Sequence, residues 1–443
     1  MKFITKLLRF YILLIIARLI KIAINMRGQS SGTSFIGMIM LKISPNFLRY
    51  TDNYFKKSKI AVTGTNGKTT TAGILSHILE EQKNTVIHNE KGANMLSGIA
   101  NTMALSIYPF KRFDYAVLES DEAYLSKLYD YLETDYLIVT NLFRDQLDRY
   151  GELNSTAKKI QEAIDKNPDL QLILNADDPI VVNFHTKDNV KPIYFGFDNI
   201  ELMEKNIDSK APMELFNCVQ CGEVLKYSKR FYAQQGHYYC DCGYKRPTCD
   251  YAANAKIYND YSIINISHGE NEYELKTYLT GVYNAYNVLA SAVTAIELGY
   301  EDLQDALYSY KSVFGRCETK IIKGHKALIQ LIKNPTGASE VLKTVDLESD
   351  ILIVINDNYA DGRDVSWLWD ADFELLNDSK KRIITSGSRA YDMATRLKYA
   401  GVNDIKVIPN INTAIHTITR EAEGDITILP TYTALLEINK IKK

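Results

Sequence analysis

The chain has no basic excess. Its 52 lysines and arginines stand against 54 aspartates and glutamates, a formal net charge of -2, whereas a nucleic-acid binder normally carries the opposite imbalance. No nucleic-acid partner is expected, and partners have to be argued from local sites. A disulfide scaffold is also missing: six cysteines in 443 residues are too few to staple a fold of this size, and four of them have metal-binding spacing, which suits a reducing, cytoplasmic compartment. Nor is there an uncharged run long enough to cross a bilayer. Phe3 to Asn25 is strongly apolar, but Lys6, Arg9, Arg18 and Lys21 interrupt it and leave Phe10 to Ala17 as the longest uncharged piece; a spanning helix needs about 20 apolar residues. No small-residue cleavage site follows, so a secretory signal fits poorly. Two readings stay open for residues 3–25: a cationic amphipathic helix on the anionic inner face of the plasma membrane, or a helix packed on the protein.

With 46% hydrophobic and 24% charged residues, the chain is long enough for two or three domains. Its organising stretch is Ile60-Ala61-Val62-Thr63-Gly64-Thr65-Asn66-Gly67-Lys68-Thr69-Thr70. A β-branched run enters a glycine turn, and the spacing of Ile74, Leu75, Ile78 and Leu79 predicts a helix after it. Gly64 and Gly67 let successive N–H groups face an anion at a helix start. Lys68 is placed to reach terminal phosphates, and the Thr69 hydroxyl to meet Mg²⁺. The general phosphate-loop pattern matches only in its Gly-Lys-Thr half, because Val62 stands where it wants glycine. Strands and helices then alternate as in a doubly wound sheet, with candidate strands at 85–88, 115–118, 136–140 and 171–174. Ligands gather at the carboxyl ends of such strands. Three of those ends are polar: Glu119 with Asp121 and Glu122, Thr140-Asn141 running to Asp148, and Asn175-Ala176-Asp177-Asp178. A carboxylate such as Glu119, ending a strand beside a phosphate loop, can hold Mg²⁺.

Between Phe216 and Asp250 lie Cys218-x-x-Cys221-Gly and Cys240-x-Cys242-Gly. Two tight turns of this kind aim four thiolates at one tetrahedral, structural zinc. Cys249 and His237 are the competing ligands. A hairpin at 262–267 and 272–279 precedes Gly281-Val282-Tyr283-Asn284-Ala285-Tyr286-Asn287, which opens a helix ending near Gly299. Phe314-Gly315-Arg316-Cys317-Glu318 closes the segment. From about Lys320 a second, smaller nucleotide-fold domain is expected, with strands at 327–331, 351–355, 382–385, 405–408 and 426–429. After its second strand comes the acid-rich loop Asn356-Asp357-Asn358-Tyr359-Ala360-Asp361-Gly362-Arg363-Asp364, followed by both tryptophans of the chain.

From Lys59 onward these segments resemble the Mur ligases, the ATP-dependent enzymes that build the peptide of bacterial cell-wall precursors. The likeness rests on Thr-Gly-Thr-Asn-Gly-Lys-Thr-Thr, the Thr-Asn segment, Gly-x-x-Asn and Gly-Arg-x-Glu. It implies an α/β fold with a central ATP-binding domain at 58–313, a zinc-ribbon insert at about 214–250, and a Rossmann-like C-terminal domain at 314–443, preceded by a helix and linker at 1–57. It makes Glu119 and Thr69 the Mg²⁺ ligands, Gly64 to Thr70 the ATP cradle, and Asn287 and Arg316 further nucleotide contacts. Gln146 stands where the family usually has a histidine near a second metal, and Lys333 where catalytic members have one before Asn-Pro. The ribbon and the Asp-Gly-Arg-Asp loop match a branch of the family, the ligase-like subunits that amidate the D-glutamate of lipid II. That branch implies a heterodimer with a glutaminase of the class I amidotransferase type. Asp364, rather than Asp361, would complete the glutaminase triad. Neither Cys249 nor Cys317 lies in a recognisable nucleophile turn, which also puts the glutaminase on another protein. Two alternatives remain: an autonomous Mur ligase that adds an amino acid, and an ATP-binding zinc-ribbon regulatory module.

Overall fold

The structure is a computed structural model that describes residues 2–26, 34–90, 93–143, 153–188, 190–203, 215–310 and 316–440, the side chains of 2–7 and 316–318 excepted. In chain order the elements are α1 (Lys2–Met26), α2 (Phe35–Ile43), β1 (Phe55–Thr63), α3 (Lys68–Glu81), β2 (Val86–His88), α4 (Leu96–Ser106), β3 (Phe113–Glu119), α5 (Leu125–Tyr129), β4 (Tyr136–Val139), α6 (Leu153–Ile164), β5 (Gln171–Asn175), β6 (Ile193–Leu202), β7 (Lys226–Tyr232), β8 (Gln235–Tyr239), β9 (Tyr251–Ile257), β10 (Ser262–His268), β11 (Asn271–Thr277), α7 (Val282–Glu297) and α8 (Gln304–Ser309). Then follow β12 (Arg316–Ile322), β13 (His325–Gln330), α9 (Pro335–Lys343), β14 (Asp350–Val354), β15 (Ile383–Ser386), α10 (Ala390–Tyr399), β16 (Ile405–Val407), α11 (Ile411–Glu421), β17 (Ile426–Pro430) and α12 (Tyr432–Ile438).

Nine strands form one sheet in the order β11-β10-β9-β6-β5-β4-β1-β3-β2. It is parallel from β2 through β9, and β10 and β11 extend it antiparallel. Its central strands are continuous apolar runs because both faces are covered. Alternate side chains serve opposite cores, as the period of two demands: Ile60, Val62, Val117, Ile138 and Ile173 face α3 and α7, while Ala61, Leu118, Leu137, Val139 and Leu172 face α4 and α6. The second sheet, β12-β13-β17-β14-β15-β16, has β12 antiparallel on an otherwise parallel set. Ile351 and Ile353 enter one of its cores and Leu352 and Val354 the other.

Five strands were not legible in the sequence. Tyr251–Ile257 is alanine-rich and by propensity helical, yet it lies between β6 and β10 with Tyr251, Ala253, Ala255 and Ile257 buried in alternation. β6, β7, β8 and β12 were likewise unrecognised. Of the two readings of residues 3–25, packing on the protein describes one side of α1. Phe10, Leu13, Leu14 and Ala17 enter the α4 side of the large sheet's core, and the opposite side stays exposed. Residues before 58 therefore share that core, with α2 packed across α4 so closely that a Cβ at Gly37 would collide with the Ser97 carbonyl.

Candidate functional site

β1 lies between β3 and β4 at the point where the strand order reverses, so the turn leaving it opens into the crevice where such sheets bind ligands. Gly64 and Gly67 hold φ values of 123° and 87°, which disfavour any side chain. Space forbids one too: a Cβ on Gly64 would strike Thr140 and Asn141, and one on Gly67 would strike the Asn287 amide. The Thr-Asn segment after β4 acts as the splint of this turn. Thr65 N donates to Asn141 O (2.9 Å), Asn66 N to Asn141 Oδ1 (2.8 Å), and Thr140 Oγ1 to Asn66 O (2.7 Å). Thr65 Oγ1 and Phe143 exchange two further bonds. Thr69 and Thr70 are buried on the first turn of α3.

Lys68 is 6% exposed. Its ammonium donates to the carbonyls of Gly64 and Thr65 and to Glu122 Oε1 at 3.0 Å. Burial pushes the Glu122 carboxyl up to about 7, against the pull of Lys68 and Lys333. Glu122 was noticed in the sequence only as a neighbour of Glu119; its pairing with the loop lysine comes from the turn after β3.

Glu119 ends β3 and is 2% exposed. Its Oε1 accepts from Asn94 Nδ2 at 3.1 Å, while Oε2 is buried with no hydrogen-bond partner among the described residues. A buried carboxylate oxygen left open beside a phosphate loop fits a divalent cation, which takes oxygen ligands. Asn94 carries no motif that sequence reasoning could have used. The third polar strand end behaves differently. Asp178 accepts from the backbone N–H of Leu142, Ile180 and Val181, and Asp177 from Phe197 N, Tyr286 Oη and Arg246. Those acids brace the fold.

The second sheet faces the loop. Asn334 caps α9, accepting from Gly337 N, and donates through Nδ2 to Asn66 Oδ1 at 3.0 Å. Asn66 Nδ2 remains buried without a partner among the described residues. Between the two sheets opens a cleft lined by Asn66, Gly67 and Thr70, by Tyr232, by Tyr283, Asn284 and Asn287 of α7, and by Lys333, Gly337 and Val341. Its mixture of aromatic and amide side chains suits a nucleotide. Asn287 stands against the loop itself, with Thr71 Oγ1 donating to its Oδ1 at 3.3 Å; Asn284 ties down the turn before α7 through Thr280 O. Arg316 opens β12, its side chain outside the described residues, as are Gln146 and Asp148, Phe314 and Gly315, and the 313/314 boundary.

The four cysteines converge. The sulfurs of Cys218, Cys221, Cys240 and Cys242 all lie within 4.8 Å of one another, with Cys218–Cys242 at 3.7 Å and Cys221–Cys240 at 3.5 Å. Four ligands about 2.3 Å from a tetrahedral ion stand roughly 3.8 Å apart, so the set fits one metal ion. The two competitors are engaged elsewhere: the His237 ring bonds Phe197 O, and Cys249 lies by Arg246, its thiol pushed up to about 12 by burial.

The Mur ligase middle domain family matches residues 62–234 and the MurT ligase C-terminal family residues 331–435. Among curated proteins, the lipid II isoglutaminyl synthase (glutamine-hydrolyzing) subunit MurT of Streptococcus pneumoniae is 36% identical across 93% of this chain and 92% of its own. The chain belongs to the MurT family. The subunit of the same name from Staphylococcus aureus strain COL is 32% identical over 91% of each chain. The fold is that of Mur ligases: a pseudomurein peptide ligase type C from Methanothermus fervidus superposes with a TM-score of 0.67 at 23% identity, over 89% of this chain and 80% of that one. The segment matched by the C-terminal family includes the acid-rich loop after β14. There Asp361 is buried and bonded to Thr433 N (2.7 Å), Thr433 Oγ1 and Asn358 N, whereas Asp364 is half-exposed and accepts one bond, from Ser366 N.

Proposed function

We propose that this chain is the ATP-dependent ligase subunit of a glutamine-hydrolysing synthase that amidates the α-carboxyl of D-glutamate in lipid II, giving D-isoglutamine. The observation that carries the reading is the open Glu119 oxygen beside a lysine-bearing anion turn, in a chain whose relatives are named for this activity. ATP fills the cleft with its phosphates on residues 64–70 and its base toward Asn287. Arg316 contributes charge at the phosphates. Glu119 and Thr69 would hold Mg²⁺, which neutralises phosphate oxygens during transfer.

The substrate carboxylate oxygen attacks the γ-phosphorus, and ADP departs with the electrons of the broken P–O bond. Lys68 leaves Glu122 for the phosphate, and its charge counters the charge that builds there. Ammonia then adds to the carbonyl carbon of the acyl phosphate and loses a proton, and phosphate leaves. Burial of the site excludes the water that would otherwise hydrolyse this intermediate. The ammonia comes from a separate glutaminase subunit docked on the domain at 314–443, with Asp364 orienting its histidine. Asp364 suits that part because its carboxylate is largely unspent, while Asp361 is committed to Thr433. The four cysteines hold a structural zinc within the ribbon at about 214–250, inserted in the ATP-binding domain at 58–313. No helix among the described residues is long and apolar enough to cross a membrane, and the enzyme works in the cytoplasm at its inner face.

The test is mass spectrometry of lipid II incubated with this chain, Mg-ATP and ammonia. A decrease of about one mass unit per acceptor, the acid-to-amide change, is expected, and omission of ATP abolishes it. With glutamine in place of ammonia, no product forms until the glutaminase subunit is added. Product from glutamine without a partner would overturn the two-protein reading, and incorporation of an amino acid would favour an autonomous ligase.

A further inference from the structure

The first 51 residues contain eight lysines and arginines and no aspartate or glutamate, leaving 44 basic against 54 acidic side chains in the remainder. The same segment carries an apolar face. On the side of α1 away from the core, Leu8, Ile12, Ile15, Leu19, Ile22 and Met26 recur at alternating spacings of four and three, each about half exposed or more. That is one continuous stripe along a helix.

The stripe has neighbours of a second kind. Arg18 of α1 donates to Ile107 O (2.6 Å) and stacks on the Tyr108 ring, 4.2 Å from its centroid. It thereby fixes the turn after α4, where Phe110 is 92% exposed with φ at 65° and is followed by the exposed Lys111 and Arg112. The Phe110 ring lies 5.8 Å from that of Tyr11. A protruding aromatic tip with two cations, beside an apolar stripe with none of its local charge negative, is the pattern of a membrane interface.

We propose that α1 and the turn at 107–112 form a docking face for an anionic lipid bilayer, on which α1 lies flat. The charge decides between occupants. A second copy would bring two wholly basic segments together, which costs energy, whereas anionic headgroups neutralise them. The four lysines and arginines within residues 3–25 bar α1 from crossing. The inference deepens the proposed function, because a lipid-linked acceptor is presented at such a surface.

The experiment is co-sedimentation of the full chain, without nucleotide, with vesicles of phosphatidylcholine alone or with about one-third phosphatidylglycerol. Binding to the anionic vesicles is expected, weakened by salt, with little to phosphatidylcholine. The double variant Ile15→Glu/Leu19→Glu and, separately, Lys111→Glu/Arg112→Glu should each weaken binding by about tenfold or more, while amidation of a water-soluble, short-chain acceptor is retained. Equal sedimentation of all forms, or none by the parent chain, overturns the proposal. So does a concentration-dependent dimer in gel filtration with light scattering that Ile15→Glu/Leu19→Glu dissolves without any lipid effect. Because the vesicle assay needs no ATP and the soluble assay no membrane, failure of one is read separately from failure of the other.

Discussion

Strands β3 and β5 run parallel in one sheet and carry carboxylates at the same end, yet their acids have opposite employment. At β5, Asp178 gives its oxygens to three backbone N–H groups and Asp177 to a tyrosine, an arginine and a backbone amide. At β3, Glu119 spends one oxygen on Asn94 and keeps the other buried and open. A carboxylate offers about four lone-pair sites, and a native fold seldom leaves buried ones idle. The acid that its own chain satisfies is a strut; the one it leaves open among the described residues is the candidate ligand. The loop after β14 repeats the contrast within four residues, Asp361 being enclosed and bonded and Asp364 half-exposed and nearly free.

The contrast is breakable in order of expected effect. Asp364→Asn should lower glutamine hydrolysis by the assembled complex by roughly 10⁴-fold, the scale of losing the orienting acid of a triad, with ATP binding by this chain intact; Asp361→Asn should instead lower the melting temperature. Equal hydrolysis in the Asp364→Asn complex would remove that residue from the triad. Glu119→Gln should cut ammonia-dependent amidation about 100-fold, as expected for loss of a group that stabilises transferring charge, without changing the melting temperature by more than a degree or two. Asp178→Asn reverses those signs: stability falls by about 2 kcal/mol, because hydrogen bonds to a charged acceptor weaken, and the Tm by roughly 5 °C, while turnover of the folded fraction persists. If Asp178→Asn abolished turnover at full stability, the strut and ligand assignments would exchange. The smallest effect is expected from zinc removal by a strong chelator: about 3 °C in Tm, from loosening of a ribbon with its own small core of Leu225, Tyr238 and Tyr244. Elemental analysis of the untreated protein should return about one zinc per chain.

Much of the site was legible because its signals are local. Gly64 and Gly67 are required by backbone angle and space, Lys68 and Thr69 follow them at fixed offsets, and the cysteine pairs bring their own turns. What escaped is what arrives from afar. Asn94, which bonds Glu119, and Asn334, which bonds Asn66 across the cleft, both follow the loop by many residues; Asn94 carries no spacing rule, and the Asn-Pro pattern at Asn334 did not foretell its bond to Asn66. Glu122 looked like any solvated loop acid until the turn after β3 set it on Lys68.

The sequence by itself determined the glycine turn after β1, the paired turns of the four cysteines and the apolar character of residues 3–25, because each is a matter of residue type at short range. Only the tertiary structure decided which of several similar carboxylates is left unsatisfied, that the alanine-rich Tyr251–Ile257 is a strand, and that α1 hides one side and shows the other. Those outcomes depend on which neighbours reach a given lone pair, backbone amide or apolar face, and chain segments far apart in sequence supply them.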